Sequence, residues 1–190
     1  MNLFAMFLSA LLINNIVLTK FLGMCPFMGV STKLESAFGM GAAVIFVIFG
    51  ASVLSWCLYY FVLVKAHLEY MELITFILLI AAFVQFVELF LKKNSPALYK
   101  QLGIYLPLIT TNCTVLYVAQ DNITKGYNII ETMVNSIATP AGFMLMLVIF
   151  ATIRERLNSS DLPKAFKGNP IAFVVAGIMA VAFSSLAGLV

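Results

Sequence analysis

The stretch MNLFAMFLSALLINNIVLTKFLGMCPFMGVST, residues 1–32, carries a single charge, Lys20. As one straight helix it would reach about 48 Å, well beyond a hydrocarbon core of about 30 Å. It must therefore break if it crosses a membrane, and Gly23, Pro26 and Gly29 are where a break is expected. The stretch has no basic n-region and no small-residue cleavage site, so it reads as a first membrane segment and not as a removed signal peptide. At the expected break stands a thiol, Cys25, directly before a proline.

Working outward, the rest of the chain is equally apolar. Of its 190 residues 63% are hydrophobic and only 10% charged, with a mean hydropathy of +1.05. A soluble domain carries about a quarter charged residues, so the composition points to an integral membrane protein. Further windows long enough to span run over residues 36–64, 73–91 (interrupted by Glu88), 101–120, 132–153 and 168–190. With residues 1–32 that makes six spans in one all-α membrane domain.

Charge supplies orientation. The loops after spans one, three and five hold Lys33, then Lys92, Lys93 and Lys100, then Arg154, Arg156, Lys164 and Lys167; those after spans two and four hold only Lys65 and Lys125. The positive-inside rule puts the basic side in the cytoplasm and both termini outside. A net charge of +3, scattered as it is, excludes a nucleic-acid surface. Cys25, Cys57 and Cys113 are odd in number and lie in apolar runs, which argues against a secreted disulfide framework.

Split near Asn94, the chain falls into two three-span repeats, about residues 1–93 and 94–190. Three is odd, so homologous halves must enter the membrane from opposite sides as an inverted repeat. The first span of each half, spans one and four, carries a proline and a cysteine, in LGMCP (22–26) and LGIYLPLITTNC (102–113). Repeats of this kind set their broken helices face to face near the midplane. Cys113 lies near the middle of its window, and Cys25 is expected as its symmetry mate. Cys57, inside an unbroken run, reads as a small buried hydrophobe.

Thiolates are soft ligands that favour zinc, copper(I) or iron–sulfur centres over hard cations. Two of them complete neither a tetrahedral nor a [2Fe–2S] site, each of which takes four. A metal at this point needs two more ligands from another chain of similar design.

The segments NNIVLTKFLGMCPFMGVSTKLESAFGMG (14–41), LGIYLPLITTNC, IRERL (153–157) with DLPKAFKG (161–168), and GIMAVAFSSLAGLV (177–190) resemble the RnfA/NqrE family of membrane proteins across essentially the whole chain. The CPFMGVS wording is closer to the Rnf branch than to NqrE of the sodium-translocating NADH:quinone reductase. The resemblance implies a subunit of a redox-driven ion pump in a bacterial or archaeal cytoplasmic (inner) membrane. In it electrons pass between ferredoxin and NAD, coupled to Na+ or H+ movement. It further implies a [2Fe–2S] cluster held by Cys25 and Cys113 together with a paralogous six-helix partner (RnfE-like) of opposite orientation, alongside the other Rnf subunits. No complete active site is implied in this chain alone.

Other intramembrane polar groups divide between the cluster and plain packing. Gly23, Pro26, Thr110, Thr111 and Asn112 are candidates to surround it, the alternative for the last three being helix capping. Asn14 and Asn15 suit helix–helix hydrogen bonding, and Lys20 suits snorkelling to the interface. Gln85 and Glu88 share a helix face, with Glu88 spaced for an ion pair to Lys92. His67 among loop charges is a poor metal site, and IRERL reads as a cytoplasmic helix end. A secondary transporter would use the same inverted repeat and breaks, yet would place carboxylates there; a structural subunit with inert cysteines is the remaining alternative.

Overall fold

The structure, a computed structural model, describes residues 3–31, 34–66, 69–94, 106–158 and 168–187. These residues are helical throughout apart from turns, with no strand among them. Three helices are long and apolar enough to cross a membrane, covering Ser36–Leu63, Glu72–Leu89 and Ile129–Leu157, and a shorter apolar stretch covers Asn169–Ser185. The spans expected at 36–64, 73–91 and 132–153 are recovered in this way, while the window 168–190 holds only the shorter apolar helix among its described residues. His67, Lys33, Lys100, Lys164 and Lys167 lie outside the described residues.

The two remaining windows, expected as spans one and four, hold short, interrupted helices among the described residues. The first comprises α1 (Leu3–Leu8), a π-helical turn (Ser9–Ile13), α2 (Ile16–Lys20) and α3 (Met24–Val30). The helix stops at Asn14 and restarts from Asn15, whose extended backbone and side-chain oxygen cap the Val17 N–H at 3.1 Å. It stops again at Phe21 and Gly23, both left-handed at φ 52° and 79°. The breaks therefore differ from those expected at Pro26 and Gly29. Pro26 falls in the first turn of α3, where a missing N–H costs nothing, and Gly29 continues that helix. Only Gly23 breaks the chain as expected, because a left-handed residue is cheapest without a side chain.

The window expected as the fourth span, whose residues 101–105 lie outside the described residues, repeats the first device. Helix α7 (Leu106–Thr110) ends at Thr111, and Asn112 caps α8 (Cys113–Thr124) by accepting the Thr114 N–H at 3.0 Å. Asn15 and Asn112 have nearly the same backbone, φ −64° and ψ 116° against φ −71° and ψ 113°. Ile16 follows the Asn15 cap as Cys113 follows the Asn112 cap, while Cys25 follows the second break of its own stretch, as the second residue of α3.

Helix α4 (Leu34–Leu58, continued by a π turn Tyr59–Leu63 and α5, Val64–Ala66) packs along α9 (Ile129–Asn158). A side chain on Gly41 would strike Met144, while Trp56 Nε1–H donates to the Tyr127 carbonyl at 3.1 Å; the two helices therefore run antiparallel. Their shared face is apolar at one end, where Met40, Val44, Met146, Leu147 and Phe150 are fully buried. Helix α6 (Glu72–Asn94) buries Phe76, Ile80 and Val84 at helical spacing and turns Ile74, Leu78, Phe86 and Leu89 outward, as a lipid-facing helix does. Helix α10 (Asn169–Ala187) covers α2.

Candidate metal centre

Both breaks meet. The Gly23 N–H donates to Cys113 Sγ at 2.9 Å, joining residues 90 apart in the chain. Gly23 is pressed so closely on the second break that a Cβ there would lie 2.5 Å from Thr114 Oγ1 and 2.9 Å from the Phe143 ring. Cys25 follows Gly23 by two residues, a reach of at most about 7 Å, so its backbone is close to the Cys113 sulfur as well. Met24 opens α3 and Cys25 follows, while Cys113 is the first residue of α8. The thiols are free, and both are exposed on this chain although the residues around them are buried.

The chemistry of the surroundings suits a soft anionic group at that surface. Cys113 sits where the first N–H groups of a twelve-residue helix lack partners, a position that favours negative charge. The Asn112 side chain spends its oxygen on the Thr114 cap, which leaves its buried Nδ2 without a hydrogen-bond partner, and Thr114 Oγ1 is likewise buried and unpartnered. Two thiols, one N–H already on sulfur and one idle amide donor fit an iron–sulfur ligand set, which is tuned by N–H···S contacts. Of the residues expected around the thiols, Gly23 and Asn112 come together with Cys113. Pro26 is buried in α3, Thr110 ends α7 and Thr111 is exposed at the break. Among the described residues no group of three or more His, Cys, Asp or Glu could hold a metal on its own.

The remaining polar residues lock this arrangement. Asn15 Nδ2 donates to the Gly142 carbonyl of α9 at 2.9 Å, the helix–helix bond expected of it, in addition to its cap. Asn14 Nδ2 bonds the Ser9 hydroxyl at 3.1 Å, within its own span. Arg154, read from sequence as a cytoplasmic anchor, is instead buried and donates to the Met28 carbonyl at 2.8 Å, Ser31 Oγ at 2.9 Å and Asn169 Oδ1 at 3.3 Å. It closes the C-terminal end of α3, where free carbonyls attract a cation. Register carries the signal: Phe143, Met146, Phe150 and Arg154 fall on one helical stripe, so Arg154 belongs to the buried face.

Gly23→Ala is expected to destabilise the protein by about 2–4 kcal/mol, from a left-handed residue with a side chain and the overlaps with Thr114 and Phe143. Thermal denaturation of the purified complex checks it. A variant as stable as the parent would mean that the breaks are not in contact.

Comparison with known proteins is consistent along the entire chain. A family model described as Rnf-Nqr subunit, membrane protein, matches residues 3–190. The chain is 51% identical over 189 residues to component A of the ion-translocating oxidoreductase complex of Syntrophotalea carbinolica, covering 100% of this chain and 98% of that protein. It is 52% identical over 189 residues, with the same coverage, to component A of the Na(+)-translocating ferredoxin:NAD(+) oxidoreductase complex of Acetobacterium woodii. A third relative, the corresponding ion-translocating oxidoreductase component from Serratia proteamaculans, is 52% identical over 185 residues, 97% of this chain and 96% of its own.

Proposed function

Since the chain belongs to the Rnf-Nqr family of membrane proteins, we propose that it is the RnfA component of an Rnf-type ion-translocating ferredoxin:NAD oxidoreductase. In this reading Cys25 and Cys113 supply half the ligands of a [2Fe–2S] cluster whose other half comes from a paralogous six-helix protein, RnfE-like, of opposite orientation. One observation carries it: the N–H of Gly23, two residues before Cys25, lies on the sulfur of Cys113 at the surface of the chain.

When bound, the cluster supplies a one-electron station part-way across the membrane, where a single hop over the full bilayer would be slow. The chain's own residues hold and tune that station. Cys25 and Cys113 ligate as thiolates; the Gly23 N–H steadies the Cys113 sulfur, and the idle Asn112 Nδ2 is the nearest further donor. Burial of Asn112, Thr114 and Phe143 behind the thiols keeps water away from the inner side. A surface that presents only two thiols suits a partner that presents two more.

Six spans in two inverted repeats, with both termini outside a cytoplasmic (inner) membrane, complete the proposal. Its support is the pair of similarly capped breaks in spans one and four and the long apolar helices between them. The coupled ion is Na+ or H+, and one relative is named as Na+-translocating. The discriminating experiment is iron analysis with EPR on the complex isolated with its membrane partner. A reducible [2Fe–2S] signal beyond those of the peripheral subunits is expected. An intact complex lacking that iron would end the reading and favour a transporter or structural role.

A further inference from the structure

The face that α4 and α9 share changes character along its length. At the end nearer Trp56 the apolar residues give way to hydroxyls and amides: Ser52 and Ser55 on α4, and Thr132, Asn135, Ser136 and Thr139 on α9, all buried. Gly41 meets Met144 and Trp56 meets Tyr127, so eleven residues on from Gly41, Ser52 stands level with the turn that carries Thr132. Asn122 of α8 closes the seam, accepting from Asn135 Nδ2 at 2.7 Å and donating to Ser136 Oγ at 3.3 Å, while Thr139 Oγ1 bonds Asn135 Oδ1 at 3.2 Å.

Half of this seam is satisfied and half is not. Ser52 Oγ, Ser55 Oγ and Thr132 Oγ1 are buried without any hydrogen-bond partner, although a helical serine or threonine ordinarily bonds the carbonyl a turn back. Pro140, inside α9, has no N–H to offer the Ser136 carbonyl four residues before it, about one turn along α9 from Thr132. Orphaned buried oxygens are costly, and the hydroxyls of Ser52, Ser55 and Thr132, spread over about one helical turn, call for a bound species that satisfies them.

We propose that this seam is a binding site for a partly dehydrated alkali cation, of which Na+ is the representative. The donors are hydroxyl, amide and carbonyl oxygens, hard and neutral, the set that such cations take and soft metals do not. No group in the seam titrates near neutral pH. The adjacent carboxylate, Asp121, is taken up by Lys125 in a 2.8 Å ion pair, so the oxygens facing the seam are neutral. Charge balance comes along α8: Asn122 lies nine residues, or about 13 Å, from Cys113. This deepens the function proposed above, since a thiolate site at one end of a short helix would sense a cation near its other end. It rests on that reading only for the role of the ion, not for its binding.

The test uses the assembled complex. Equilibrium binding of radioactive Na+ is compared for the parent, the Ser52→Ala/Ser55→Ala pair, Thr132→Val and Thr132→Ser, with iron content measured in each. Loss of the hydroxyls is expected to weaken one Na+ site at least ten-fold while iron stays constant, and Thr132→Ser to retain affinity. Unchanged Na+ affinity in variants with full iron would overturn the proposal and leave a water-filled seam. Should the variants fail to assemble, the parent complex in thallium(I) decides, because a strong scatterer in the seam is required and its absence is fatal. A parent complex without membrane iron would defeat the cluster reading alone, and the thallium result would still judge the seam.

Discussion

Cys113→Ser in the assembled complex is expected to abolish the membrane [2Fe–2S] signal and coupled ion transport while NADH oxidation with an artificial acceptor continues. The oxygen of serine is a hard ligand with a far higher pKa than a thiol, so it replaces a thiolate on iron poorly. Loss of a direct ligand should cost at least about 100-fold in coupled turnover, the upper range seen when only a neighbour of a ligand is changed. Cys25→Ser should do the same despite its different helix position, because a four-ligand centre does not survive on three. Cys57→Ser, half-buried in the uninterrupted α4, is the control and should retain iron and transport. Full iron and normal Na+ uptake in either ligand variant would remove both residues from the site.

How much of this is legible in the sequence follows from the physics of each residue. Apolar runs of about twenty residues announce spans, because lipid leaves the backbone no other partner, and three of the expected windows correspond to helices long enough to cross. The existence of breaks is legible from sheer length. Their positions are not: Asn14, Asn15 and Phe21 interrupt a run that contains better-known helix breakers downstream, since a proline in a first turn breaks nothing. The thiols are legible as a pair; that a backbone N–H of one break lies on the sulfur of the other depends on tertiary contact that no local pattern encodes. For Asn112 the sequence allows cluster neighbour or cap, and its two side-chain atoms separate those roles, the oxygen capping and the nitrogen idle beside Cys113.

Arg154 shows that register outweighs charge when a basic residue lies near a helix end. Its planar guanidinium ties three elements together: the end of α3 through Met28 and Ser31, its own α9, and the start of α10 through Asn169. A seven-residue helix such as α3 has too little length to hold itself, so the group that closes its C-terminus fixes where Cys25 sits. Arg154→Met keeps the volume and removes all three bonds, leaving a carbonyl, a hydroxyl and an amide oxygen short of donors. With hydrogen bonds to a charged donor worth roughly 1.5–3 kcal/mol each, and some relaxation, a loss of about 3–5 kcal/mol is expected. Thermal denaturation of the complex should show it, accompanied by reduced iron occupancy as α3 loosens. Lysine at the same position offers one compact ammonium in place of a planar fork and should recover less than half of the loss. Arg156, exposed on the same helix, should lose clearly less on replacement by methionine, at most about 1 kcal/mol, the usual ceiling for a surface contact of a charge. If Arg154→Met and Arg156→Met were alike in stability and iron content, Arg154 would be the surface anchor that its charge alone suggests, and α3 would have to be held by its packing of Phe27 on Phe150.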